Sequence, residues 1–291
     1  MAIEEYLKIK RGEIDKALEK CLPKKDAYPP KIHQAMRYSL LNGGKRIRPI
    51  LTLATPQVIG KRANVLMAAS GVELIHTSSL ILDDLPSMDN ANFRRGRLAT
   101  HKVFGEAVAI LAAYGLLMKG LGLVAQNCRK AKMDKKTASQ IIEDISEAIG
   151  SCGMIGGQTV DLDSKSADLK TLEFIHRHKT GNLFVVACDT GARLCGASEK
   201  KREALRKYAR NIGLAYQIRD DIIDFKGKKE LTGKDERKDI NKLSFVTTLG
   251  MEKARVRANE LVRSSICSLK IFGPGGEFLR ELAKYVVERE N

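Results

Sequence analysis

Apolar residues recur along this chain at steps of three and four, the spacing of amphipathic helices, and runs alternating at period two are hard to find. The most informative stripe steps through Val65, Ala69, Val72, His76, Ser79 and Asp83. It begins apolar and ends in an imidazole, a hydroxyl and a carboxylate. A second helix is expected from about Lys201 to Asp224, where Ile212, Tyr216, Gln217, Asp220 and Asp224 share much of one face. Two inward faces that turn from apolar to acidic toward their C-terminal ends predict a deep apolar pocket with a charged mouth. The few prolines sit mostly at boundaries, as in Tyr28-Pro29-Pro30 and Gly273-Pro274-Gly275-Gly276. No linker-like or low-complexity stretch interrupts the chain from about residue 30 onward, and no solenoid repeat is visible. The expectation is an all-α helical bundle around a deep central cavity, with residues 1–291 forming one domain.

Composition narrows the partners. A hydrophobic content of 43% supplies a sizeable core. No window approaches the roughly 18 uninterrupted apolar residues of a bilayer span, so no membrane span is expected. The opening residues, MAIEEYLKIKRGEIDKALEK, are charged and helix-like rather than a secretory signal. Six cysteines without metal-ligand spacing are consistent with small buried hydrophobes in a reducing cytoplasm. The formal charge of +16 favours anionic partners: nucleic acid, an acidic membrane surface or phosphorylated small molecules. Tryptophan is absent and aromatics are 5%, which leaves little material for base stacking. No zinc-finger spacing or RNA-binding aromatic motif is present, so nucleic acid is not the expected partner.

The candidate chemistry lies in two acidic clusters. One is Asp83-Asp84-Leu85-Pro86-Ser87-Met88-Asp89, the other Asp220-Asp221-Ile222-Ile223-Asp224. Carboxylates four apart on a helix repel, and a purely structural helix gains nothing from them. A divalent cation removes that penalty; Mg2+ takes one or two carboxylates and leaves positions for water and phosphate oxygens. A single such cluster would read as a solvated acidic patch. Two clusters, each ending an apolar helix face, read differently, the more so with Arg94-Arg95 directly after the first and further donors at Lys45-Arg46-Ile47-Arg48, Lys179-Thr180 and Lys234. Arginine forks suit bidentate phosphate binding.

These residues resemble the trans-isoprenyl diphosphate synthases, or polyprenyl synthetases, over about Ile32 to Lys253. Five motifs carry the likeness in family order: Gly43-Gly44-Lys45-Arg46-Ile47-Arg48-Pro49; Asp83 to Asp89 with Arg94-Arg95-Gly96; Gly156-Gly157-Gln158; Lys179-Thr180-Gly181; and Tyr216 to Asp224. The resemblance implies an isoprenoid-synthase fold and a Mg2+-dependent prenyltransferase. It implies that Asp83, Asp84 and Asp89 hold two Mg2+ ions, and that Asp220, supported by Asp221 and Asp224, holds a third. It assigns Arg94, Lys179, Lys234 and Lys242 to the allylic diphosphate. Lys45, Arg48, His76 and Arg95 are assigned to isopentenyl diphosphate, and Thr180 and Gln217 to the developing carbocation. Gln158 and Asp161 are expected near the site, and Gly156-Gly157 could equally serve close helix packing. Leu82, Asn90-Ala91-Asn92 and Tyr114-Gly115 depart from common family residues without removing a metal ligand.

The implied reaction is ionisation, condensation and elimination, with the released diphosphate as base and a homodimer as the working form. Small residues at Ser78 and Ser79, one turn before Asp83, make the sequence most like the geranylgeranyl (C20) diphosphate synthases. Farnesyl (C15) diphosphate is the alternative product. A class I terpene cyclase and a non-catalytic synthase subunit remain further alternatives. Tyr114 or Met118 could form the pocket floor, and the stretch from Phe225 to Glu236 has no assigned role.

Overall fold

The computed structural model describes residues 3–164, 168–232 (side chains to 225) and 243–289. Fourteen α-helices dominate them: α1 (Ile3–Cys21), α2 (Pro30–Leu40), α3 (Ile47–Ile59), α4 (Leu66–Asp83), α5 (Thr100–Phe104), α6 (Glu106–Lys130), α7 (Lys135–Ile149), α8 (Met154–Asp163), α9 (Leu169–His176), α10 (Asn182–Leu194), α11 (Glu199–Thr232), α12 (Phe245–Leu249), α13 (Met251–Ser268) and α14 (Glu277–Glu288). One turn of π-helix, Arg177–Gly181, joins α9 to α10. The all-α expectation holds, and the fold neighbours described below share it.

α4 is apolar nearly all round, and a helix of that kind belongs inside a protein. Ala68 through Ile75 are all buried. α6 lies along one side of it, α3 and α10 along another; α10 continues the packing onto α11, and α11 onto α13. Leu51, Leu74, Ile75 and Phe184 are fully buried in this core. Each contributes about 1.5–3 kcal/mol of burial free energy. Among the described residues α4 and α11 make no extended contact with each other, while α10 touches both. The two helices whose polar ends carry the acidic clusters are therefore joined through α10 rather than packed on each other. Tyr208 ties α14 down by donating its hydroxyl to the Leu279 carbonyl at 2.8 Å.

Two sequence expectations change. α6 is long and apolar enough, by length and composition, to cross a bilayer. Here it packs along α4 and α2, burying Ala109, Ala112, Ala113, Leu116 and Gly120. The same register turns Tyr114 and Met118 outward, 59% and 57% exposed. Neither forms a floor within this chain. The other change is a hairpin of two two-residue strands, β1 (Phe93–Arg94) and β2 (Arg97–Leu98). Arg95 (φ 52°) and Gly96 (φ 75°) make its two-residue turn. Positive φ at both central positions is the requirement of a type I′ hairpin.

Candidate active site

The first acidic motif folds back on the end of α4. Pro86 disfavours helical continuation through the residue before it. The chain reverses, and the Asp89 amide donates to the Asp83 carbonyl at 2.9 Å and the Ala91 amide to the Asp84 carbonyl at 3.2 Å. Asp89 thus returns beside Asp83. The hairpin then carries Arg94 back onto Asp84, where its Nε donates to Oδ1 at 2.9 Å and its Nη2 makes a second, short bond. Burial pushes the Asp83 carboxyl up to about 6; negative Asp89 and Asp84 add to the effect, and Lys179 and Arg94 oppose it.

A cationic group sits alongside, organised by the glycine loop. Gly43 (φ 68°), Gly44 (φ 122°) and Arg46 (φ 53°) turn the chain into α3. Arg46 is buried, donating to Glu73 at 2.6 Å, Asp15 at 2.9 Å and the Leu40 carbonyl at 2.8 Å. It anchors the loop and is spoken for. Its neighbours differ. Arg48 lies 4.7 Å from the Phe184 ring centroid and donates through Nη1 to His76 Nε2 at 3.2 Å, while its buried Nε has no partner. An arginine always donates, so His76 accepts at Nε2 and carries its proton on Nδ1. Burial, then Arg48 and Arg95, hold the His76 pKa well below its ordinary value, leaving it neutral. Arg95 arrives from the hairpin and donates to the Gly43 carbonyl. A Cβ at Gly44 would lie 2.6 Å from its guanidinium carbon, and the positive φ of 122° itself favours glycine there. An unpaired buried guanidinium nitrogen is costly unless an anion completes it.

The π-turn links this group to the second acidic motif; such turns are frequent at functional sites. Lys179 Nζ is 2.8 Å from Asp161 Oδ2 and its charge is stabilised further by Asp83 and Asp89, against the cost of burial. The next residue, Thr180, faces the other way and donates to Gln217 Oε1 at 3.3 Å. Gln217 Nε2 donates in turn to Asp221 Oδ1 at 3.2 Å, and the Phe245 amide to Asp221 Oδ2 at 2.8 Å. One turn of chain therefore sets the Lys179 charge near Asp83 and Asp89 and links Thr180 to Asp221 through Gln217. A Cβ at Gly157 would come within 2.5 Å of the Lys179 amide, so Gly157 lets α8 pack on this turn.

A polyprenyl synthetase family model matches residues 29–268. The chain belongs to the polyprenyl synthetase family. It is 42% identical, over 98% of its length and 79% of the relative's, to the heterodimeric geranylgeranyl pyrophosphate synthase large subunit 1 of Arabidopsis thaliana. It is 37% identical to the farnesyl diphosphate synthase of Geobacillus stearothermophilus, covering 100% and 99% of the two chains. Among solved structures, an apo FPP/GFPP synthase from Zymomonas mobilis superposes with a TM-score of 0.85 at 34% identity over 98% of each chain.

The donor set of this polyprenyl synthetase fits a divalent cation, although it is not a preformed cage. Among the described residues, no three His, Cys, Asp or Glu side chains are grouped to hold an ion. Arginines occupy two of the expected ligands: Arg94 on Asp84, and Arg289 on Asp220 at 2.6 Å. Yet Asp83 and Asp221 are each pushed up to about 6, above all by burial. Asp220 is raised as well, by burial that Arg289 and Lys45 only partly offset. Carboxylates in that state are short of positive charge, and Mg2+ accepts few protein ligands when water and phosphate supply the rest.

Sequence reasoning placed most of these groups. Asp224 is exposed at the end of the α11 face. Ser79 lies on the His76–Asp83 face, and Ser78 is buried; each hydroxyl bonds back to its own helix, at 2.9 Å and 2.8 Å. Gln158 reaches Met88 in the first motif, and Asp161 meets Lys179. Lys234 and Lys242 lie outside the described residues, as do positions 233–236 of the stretch that begins at Phe225. Two residues went unanticipated. Glu73 is the one carboxylate inside the apolar run of α4 before Asp83, a signal that was available. Arg289 belongs to no motif and gave none.

Proposed function

We propose that this chain is a Mg2+-dependent trans-prenyltransferase that joins isopentenyl diphosphate head-to-tail to dimethylallyl, geranyl and farnesyl diphosphates, with geranylgeranyl diphosphate as the main product. The observation that carries it is the Lys179-Thr180 turn, which sets a cation near Asp83 and Asp89 and joins Asp221 through Gln217. The Arg48–His76–Arg95 group beside them suits a second diphosphate. Asp83, Asp84, Asp89 and Asp220 would hold the ions, about three in all, with Asp221 and Asp224 in support. When bound, they neutralise charge on the departing diphosphate.

The chain's own residues do the rest. Arg94 and Lys179 bind and orient the allylic diphosphate, and Lys179 adds positive charge next to the breaking bond. Lys45, Arg48 and Arg95, with neutral His76 as a hydrogen-bonding partner, hold the isopentenyl diphosphate. Thr180 and Gln217 direct their oxygens toward the allylic cation. Asp221 and the Phe245 amide fix the Gln217 amide. Lys234 and Lys242 are assigned to the allylic diphosphate by family likeness alone.

Small Ser78 and Ser79 beneath the first motif support a C20 product; the likeness to a Geobacillus farnesyl diphosphate synthase supports C15 as the second reading. Incubation with farnesyl diphosphate, labelled isopentenyl diphosphate and Mg2+ decides: elongation to C20 is expected, and its absence leaves C15. Ser78→Tyr should shorten the product, and an unchanged spectrum would remove Ser78 from the pocket wall.

The one-domain reading and a cytoplasmic location, the latter resting on the six unpaired cysteines, are part of the same proposal. So is a homodimer. α6 exposes Leu111, Tyr114 and Met118 at successive turns, an apolar stripe suited to a second copy. Light scattering of the wild type and of Leu111→Glu tests it: a dimer converted to a monomer is expected, and a monomeric wild type would refute it.

A further inference from the structure

Arg289 is an internal cation at the second acidic motif. It follows α14 directly, and its side chain is only 2% exposed. Its guanidinium carbon is 3.8 Å from the Tyr216 ring centroid. Nη2 donates to Asp220 Oδ1 at 2.6 Å and to the Tyr216 carbonyl at 3.2 Å, and Nε donates to the Val286 carbonyl at 3.2 Å. Nη1 is buried without a partner. The Arg289 carbonyl is itself gripped by Arg219, whose Nε donates to it at 2.8 Å.

Three carboxylates, Asp220, Asp221 and Asp224, stand within about one helical turn and need a countercharge. Arg289 supplies it through Oδ1 of the same Asp220 that the proposed function gives to a metal ion. Two cations crowding one half-buried carboxylate repel strongly at low dielectric. The orphaned Nη1 adds a desolvation cost to the docked state, so the docked arginine is held imperfectly. Arg94 on Asp84 repeats the arrangement at the first motif, but that side chain is 37% exposed and leaves with little rearrangement.

We propose that Arg289 occupies Asp220 in the metal-free protein and must be displaced for a divalent ion to bind there. Metal affinity at the second motif is thereby weakened, and Arg289, side chain and backbone, is released when the ion arrives. The proposal rests on the assignment of Asp220 as a metal ligand.

Mn2+ binding to the substrate-free full chain, followed by electron paramagnetic resonance of the free ion, tests it in four proteins: wild type, Arg289→Met, Asp220→Asn and the double variant. Removing one charge-assisted hydrogen bond should tighten Mn2+ binding in Arg289→Met about tenfold, with the gain abolished by Asp220→Asn. Equal or weaker binding by Arg289→Met, with Asp220 still required, overturns the displacement while leaving the metal role intact. Binding that Asp220→Asn does not affect in either background overturns the metal role of Asp220 and the displacement with it. Hydrogen exchange in the wild type gives an arm free of folding defects. The Arg289 amide, which donates to the Tyr285 carbonyl at 3.0 Å, should lose protection on saturation with Mn2+. Unchanged protection there overturns the proposal.

Discussion

Two acid–arginine clusters in this protein use the same residue types and reach opposite states. On α10, Asp189 accepts from Arg193 at 2.9 Å, from Arg202 at 3.0 and 2.9 Å, and from Arg206 at 3.3 Å. Arg193 also binds Asp144, and Glu199 and Glu203 share Arg206. Burial works against ionisation of Asp189, yet Arg202 and Arg193 hold its carboxyl below the ordinary range. At the ends of α4 and α11, burial wins instead, and Asp83 and Asp221 rise to about 6. The difference is the supply of cations. Asp189 has three arginines, whereas among the described residues Asp83 has no hydrogen-bonded arginine of its own, and Asp221 is held by an amide side chain and a backbone N–H. A finished ion network fixes three helices in place. An unfinished one has free energy left for a ligand, which is what electrostatic catalysis requires.

That contrast breaks most sharply by mutation on each side. Asp83→Ala should lower kcat by about 10²–10³-fold, the loss typical of one electrostatic element of a preorganised site. The urea midpoint should stay level or rise, because a destabilised charge has been removed. Asp189→Ala should do the reverse. It leaves three arginines facing a void, and breaking a buried pair costs about 3–5 kcal/mol. The folded fraction should turn over normally. Steady-state kinetics and urea unfolding on both variants are the measurement. A folded Asp189→Ala with lost turnover, or an Asp83→Ala that unfolds, would show that the two clusters do not divide the work in this way.

Much of this was legible in sequence because it is periodic or contiguous. The α4 stripe from Val72 through His76 to Asp83 gave the helix, its buried face and its polar end together. The α11 stripe gave Gln217 and Asp220 in the same way, although the helix begins at Glu199 and runs to Thr232. What escaped depends on pairing across the fold. Arg46 stood in a basic run with no role assigned to it, and Glu73, 27 residues on, makes it an anchor. Arg289 meets Asp220 across 69 residues, and no local pattern announces such a contact. The outward turn of Tyr114 and Met118 followed from which side of α6 faces α4. An almost wholly apolar helix does not reveal that by periodicity.

The smallest effect concerns pH and bears most directly on the cation deficit. The folded-state pKa values of Asp83 and Asp221, about 6, lie above the 3.8 of the free side chain. The folded chain therefore binds protons more tightly than the unfolded chain between those values. Their contribution to stability is most favourable below the unfolded pKa and falls as pH rises through the folded one, so the deficit is fully present above about pH 6. Other groups titrate over the same range, so the informative quantity is the difference in Tm between wild type and Asp83→Asn in chelator. The variant should exceed the wild type at pH 7.5, and the excess should shrink steadily as pH falls through 6 toward 3.8. Mg2+ should raise the wild-type Tm at pH 7.5 and have little effect at pH 4.5, where protons already neutralise the carboxyl. A Tm difference that stays constant across that range would mean Asp83 is not short of positive charge. Its contrast with Asp189 would then reflect geometry rather than electrostatics.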